Sequence, residues 1–201
     1  MARDARFVLI DGGVTNDLRV MLRALGRGDD LIVDTSHGPR PSPEWYSTMA
    51  GRLVFEGRAL DVGRGTAGEP LDFLRLVHSS SEPHALPLAL PYLPPEAGPP
   101  PAGWIWERVP GASVELHGEP GAALEVAIEL DYPGRPRPLL WSRSMRCDER
   151  GTARLRVPYA TDAPNGDGVA RGPAVARGGG REFSFDVPER AVLEGAIVAV
   201  P

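Results

Sequence analysis

The sequence predicts an α+β protein: an N-terminal mixed α/β unit over 1–82, a proline-rich linker or strap over 83–103, and a C-terminal antiparallel β-sandwich or barrel-like domain over 104–201. Three observations lead there. Short apolar runs alternate with helically spaced apolar residues before position 82. Prolines then crowd 83–103, a density that neither a helix interior nor a central strand tolerates. Beyond 104 the apolar period falls to two, with turn residues between the runs, as in small β domains.

Taken in order, residues 7–10 are four consecutive apolar residues and read as a fully buried strand, ended by Asp11 and turned by Gly12 and Gly13. Asn16 can cap the helix that follows, since its side-chain oxygen accepts from the next backbone N–H groups. Leu18, Met21, Leu22 and Leu25 share one face of that helix, and Gly26 ends it. "DDLIVDT" (29–35) reads as a second short strand, and "PEWYSTMAGRLVF" as a second helix with Pro43 near its first turn. "PLDFLRLVHSSSE" fits a third helix or a long strand. After the strap, "SVELHG", "ALEVAIELD", "LLWSRSM", "ARLRVPY", "EFSFDV" and "AIVAV" alternate apolar with polar residues and read as strands, separated by "GEPG", "DYPG" and "DERG" turns.

Composition narrows the function. The 201 residues are 42% apolar, enough to bury a real core, and the net charge of −5 argues against nucleic acid, which demands a concentrated basic face. All 22 basic residues are arginine, so Schiff-base and P-loop chemistries that require lysine are excluded. No run approaches the ~18 apolar residues of a membrane span. A chain that starts almost directly on a buried strand reads as a piece of something longer.

Candidate sites fare poorly on their own chemistry. "GRGTAG" (63–68) matches a dinucleotide-binding string but lacks a good strand before it and a good helix after it, so it reads as a loop. His37, His78, His84 and His117 show no metal-ligand spacing. "DAPNGDG" (162–168) echoes a calcium loop without its bidentate Glu and reads as a turn. Cys147 is the single cysteine and has no histidine close in sequence to activate it, so it reads as a packing or surface residue. No "GxSxG" elbow and no Asn-x-Ser/Thr acceptor occurs. No complete active site emerges.

Five collinear segments together resemble one family. "EWYSTMAGRLVFEG" (44–57), "LDFLRLVHSSSE" (71–82), "WIWERVPGASVELHGEPGAALEVAIEL" (104–130), "RLRVPYATD" (154–162) and "FDVPERAVLEGAIVAV" (185–200) are similar to segments of the C-terminal soluble domain of oligosaccharyltransferase catalytic subunits, archaeal type or a bacterial relative. The resemblance implies an enzyme that moves a glycan from a lipid-linked donor to the asparagine of Asn-x-Ser/Thr sequons, with Mn²⁺ or Mg²⁺ in the full-length protein. It implies acceptor polypeptide and lipid-linked oligosaccharide as partners, and a place on the extracytoplasmic face of the membrane, tethered by a transmembrane region absent from this chain.

The family carries a helix motif of the form DxxMxxxI or DxxMxxxK soon after its first soluble strand. "DGGVTNDL" places Asp11, Val14 and Leu18 on the three positions, which the resemblance assigns to acceptor-peptide binding. Val14 is shorter than Met, and Leu18 lacks the amine of the Lys form while keeping the apolar surface of the Ile form. The competing reading has Asp11 closing a strand and Leu18 in the core. The WWDYG clamp and the metal-holding carboxylates of the family are not in this sequence, so the isolated chain is expected to be inactive. The alternative is a stand-alone carbohydrate- or protein-binding β-sandwich with Trp104, Trp106, Trp141 or Tyr159 exposed on it; a weaker one is a nucleotide-binding protein.

Overall fold

The structure, a computed structural model, describes residues 6–11, 32–35, 38–41, 53, 71–82, 101–134 and 138–200. Thirteen strands and the short helix at 189–194 lie among them, with Leu53 also helical. Contacts divide the chain into two units, one of 1–8, 70–78 and 106–201, the other of 9–69 and 79–105.

In the first unit the long strand β7 (Ala123–Asp131) is the axis of a five-stranded sheet. Leu124, Val126, Ile128 and Leu130 fall at alternate positions and are buried. Burying each such side chain contributes about 1.5–3 kcal/mol. Antiparallel β8 (Leu139–Arg146) pairs with it from Ala123↔Arg146 to Leu130↔Leu139, so Trp141 faces the core opposite Ile128. On the other side lie β10 (Val169–Ala170) and β11 (Ala174–Gly178), with β12 (Arg181–Phe185) beyond β11.

A second sheet is built on β6 (Ala112–His117), which buries Ala112, Val114 and Leu116. It pairs antiparallel with β9 (Thr152–Val157) and parallel with β13 (Ile197–Ala199). Asp148 shapes the turn into β9, its Oδ1 accepting from the N–H groups of Arg150 at 2.9 Å and Thr152 at 2.8 Å. Helix α1 (Glu189–Glu194) precedes β13; it starts after Pro188 and stops at Gly195, whose φ of 70° closes the helix in the left-handed region.

A third sheet has the order β1-β5-β4, with β1 (Phe7–Asp11), β5 (Gly103–Arg108) and β4 (Leu74–Ser79). β2 (Ile32–Thr35) and β3 (Gly38–Pro41) form a two-stranded ribbon.

The protein is thus β-rich over the described residues, and none of the sheets in this order closes into a barrel. The strands expected at "SVELHG", "ALEVAIELD", "LLWSRSM", "ARLRVPY", "EFSFDV" and "AIVAV" are β6, β7, β8, β9, β12 and β13. Of the two forms open for "PLDFLRLVHSSSE", the strand is the one adopted, as β4. The first expected helix, with Leu18 on it, lies outside the described residues; in the second, Leu53 is described as helical and buried.

Candidate functional site

Asp11 is the last residue of β1, where the sequence expects the strand to end, but the strand is not fully buried: Ile10 is buried while Phe7 and Leu9 are exposed. Val14 and Leu18 lie outside the described residues, as do His37, His84 and the "GRGTAG" segment. The structure therefore leaves the trio assigned to the acceptor peptide as an expectation from the resemblance.

What the described residues do bring together is a buried polar cluster that sequence reasoning missed. Arg75 sits in β4 between Leu74 and Leu76, and only 4% of it is exposed. Glu107 sits at the end of β5 beside Trp106 and is equally buried. The Arg75 guanidinium donates from Nε to Glu107 Oε2 at 2.9 Å and forks onto Glu189 of α1, Nη1 to Oε2 at 2.8 Å and Nη2 to Oε1 at 3.0 Å. The other oxygen of Glu107 accepts from Arg6 Nε at 2.8 Å. Two arginines thus meet two carboxylates, and the cluster is neutral overall.

Asn165 completes it. Its side chain is wholly buried; Oδ1 accepts from the Ala160 N–H at 2.8 Å and from Arg75 Nη1 at 3.3 Å, while Nδ2 donates to the Ala160 carbonyl at 3.0 Å. The "NGDG" turn is closed by Asn165 N–H donating to Gly168 O at 2.7 Å. Asn165 is therefore spent on the backbone, as the turn reading of "DAPNGDG" requires.

Charge follows geometry. Burial alone would push the Glu107 carboxyl up, but the hydrogen bonds and charges of Arg6 and Arg75 outweigh it and hold the group below its ordinary range. Burial would likewise lower Arg75; the bonds and charges of Glu189 and Glu107 prevail and raise it, so Arg75 stays cationic. A buried ion cluster of this kind adds little net stability over an apolar core, yet losing one member leaves a buried charge without its partner. Its carboxylates are saturated by arginines, so the arrangement positions chain segments rather than performing chemistry. The sequence carries a signal for it, a lone Arg and a lone Glu inside the apolar runs "LRLV" and "WIWERV".

Two tyrosines fasten β4 further. Tyr159 Oη accepts from the Leu76 N–H at 2.9 Å, and Tyr132 Oη donates to the Leu76 carbonyl. Beside them Arg143 donates to Asp72 at 2.7 Å and lies 5.5 Å above the Trp141 ring. Trp104, Trp106, Trp141 and Tyr159 are all at most 3% exposed, so they offer no platform of the kind an aromatic carbohydrate- or protein-binding surface uses. The indole N–H groups of Trp104 and Trp106 are buried, with no acceptor among the described residues. Cys147 is buried. Among the described residues no three His, Cys, Asp or Glu side chains stand together in a way that could hold a metal ion, so no metal-dependent step is derived from them.

Fold and cluster define the class: a β-rich domain with a buried network of ion pairs. Residues 111–198 match the family model of the archaeal glycosylation protein B long peripheral domain. Solved structures agree in fold. The oligosaccharyltransferase of Archaeoglobus fulgidus crystallised with Zn and sulfate aligns with 98% of this chain at a TM-score of 0.71 and 15% identity. The same organism's enzyme tethered to an acceptor peptide containing the NVT sequon gives 0.68 at 16% identity, and its complex with an inhibitory peptide and a dolichol-phosphate gives 0.67 at 16%, each over 98% of this chain. The chain spans about a third of the length of these structures, 33%, 31% and 30% respectively. No curated protein matches it.

Proposed function

We propose that this chain is the C-terminal globular domain of a membrane oligosaccharyltransferase that transfers a glycan from a lipid-linked donor to the asparagine of Asn-x-Ser/Thr sequons. It works at the extracytoplasmic face, joined to a transmembrane region, and the divalent ion of the reaction is held by that other region. The N-terminal segment 1–82 is a mixed α/β unit in this reading. Asp11, Val14 and Leu18 form one wall of the acceptor-peptide groove, and the β-rich segment from 104 is its rigid support, with 83–103 as the strap between them.

The observation that carries the reading is the alignment of nearly the whole chain with the A. fulgidus enzyme tethered to an acceptor peptide containing the NVT sequon. The five collinear segments support it independently, since they run from residue 44 to 200 and include regions outside the matched 111–198.

The test is reconstitution. A protein joining this chain to its transmembrane region is expected to glycosylate an Asn-Val-Thr peptide with a lipid-linked donor and Mn²⁺, and the chain alone is not. Turnover by the purified chain, or unimpaired transfer by the transmembrane region without it, overturns the proposal.

A further inference from the structure

We propose that Asn165–Gly166 is a latent deamidation site, shut in the folded protein by the Arg75–Glu107–Glu189 cluster and opened when that cluster releases. Asn-Gly is the dipeptide most prone to this reaction, because a following glycine presents an unshielded backbone nitrogen. The Gly166 nitrogen loses its proton and attacks Asn165 Cγ, the bond from Cγ to the amide nitrogen breaks, and ammonia leaves. Water then opens the resulting succinimide at either carbonyl, giving aspartate or isoaspartate.

The fold obstructs each part of that path. Attack requires the Asn165 amide to rotate towards Gly166, and three hydrogen bonds, one of them from Arg75, hold it instead against Ala160 and the cluster. The Asn165 side chain that must lose ammonia and take up water has no exposure, although Gly166 and Asp167 beside it are exposed. Gly166 has a φ of +68° and is pressed against β4 so closely that a Cβ there would lie 2.2 Å from the Val77 carbonyl oxygen. Its neighbour Asp167 donates its N–H to that same oxygen at 2.8 Å. Letting the amide turn means breaking its bonds to both Ala160 and Arg75.

Conversion is irreversible and has a structural consequence. Aspartate at 165 replaces the donor to Ala160 O with a second acceptor, and isoaspartate lengthens the backbone by a methylene next to Gly166, whose Cβ side is already filled by Val77. Either product unseats the 160–168 segment from β4. Conversion thus accumulates, irreversibly, with the total time this junction spends open.

Peptide mapping in mildly alkaline buffer tests it, following the mass gain of amide-to-acid conversion at Asn165. The folded chain is expected to convert at least about 100-fold more slowly than the urea-unfolded chain, since local opening of a packed segment costs several kcal/mol. Glu189→Gln, which loosens the Arg75 fork, is expected to speed conversion more than Leu124→Val, a substitution beside Gly118 and Gly178, once both are matched for global stability by urea titration. Conversion of the folded chain at the unfolded rate overturns the proposal. So does equal acceleration by the two variants.

Discussion

Arg75 and Glu107 stand where strand patterns place apolar side chains, and each is tolerated because the other is present. Arg75→Met removes the cation that Glu107 and Glu189 share, leaving Glu107 with only Arg6, whose own side chain is 67% exposed. Loss of about 3 kcal/mol is expected, at the low end for breaking a buried ion pair because Glu189 can rehydrate. Glu189→Gln keeps a hydrogen-bonding side chain on the fork and should cost about 1 kcal/mol. Urea unfolding of both variants checks the order. The pH dependence follows from the lowered Glu107 carboxyl. Its folded value lies below its unfolded one, so its contribution is present above the unfolded glutamate value of about 4.3 and is lost as pH falls through the folded value. Glu107→Gln should therefore flatten the loss of the urea midpoint in that acid window. A variant that loses stability with the same slope as the parent would assign the acid sensitivity to other carboxylates.

The element that best separates packing from backbone strain is the 160–168 segment. Gly121 and Gly166 both have positive φ, 75° and 68°, but a Cβ at Gly121 meets nothing within 4 Å while one at Gly166 meets Val77 O at 2.2 Å. Gly121→Ala should cost about 1 kcal/mol, the left-handed penalty alone. Gly166→Ala adds displacement of the turn from β4 and should cost about 3 kcal/mol or more. Thermal melts of the pair measure the difference, and equal losses would mean that the turn moves freely. The same scale shows what the sequence made legible. β6, β7, β8 and β9 carry alternating bulky residues bounded by Gly, Pro and Asp turns, and period two identifies such strands unaided. β11 was missed because its buried positions are Ala174 and Ala176, too small to mark an apolar face. α1 was missed because six residues give less than two turns of pattern, although Pro188 before it and Gly195 after it are start and stop signals. β4 stayed ambiguous because Arg75, which breaks the apolar run, is buried by ion pairing that lies far away in sequence.

For the whole molecule, that distance is the general reason the site was less legible than the fold. Arg6, Arg75, Glu107, Asn165 and Glu189 are far apart in the sequence, and no local spacing encodes their meeting. The family resemblance, in contrast, rests on short collinear segments, and it assigns the proposed acceptor contact to Asp11, Val14 and Leu18. The decisive substitution is Leu18→Asp. If Leu18 is an exposed wall of the peptide groove, the new carboxylate must lose water against the methyl of an acceptor threonine. Without a compensating hydrogen bond that costs about 3 kcal/mol, which raises the peptide KM of the reconstituted enzyme roughly a hundredfold. The melting temperature of the chain itself should then barely move, because exposed substitutions usually change stability by less than ~0.5 kcal/mol. If Leu18 is instead a core residue of its helix, the same change buries an unpaired charge and the chain unfolds. Both quantities are read on one variant, so a collapsed melting temperature removes Leu18 from the acceptor site, and a raised KM with an intact melt places it there.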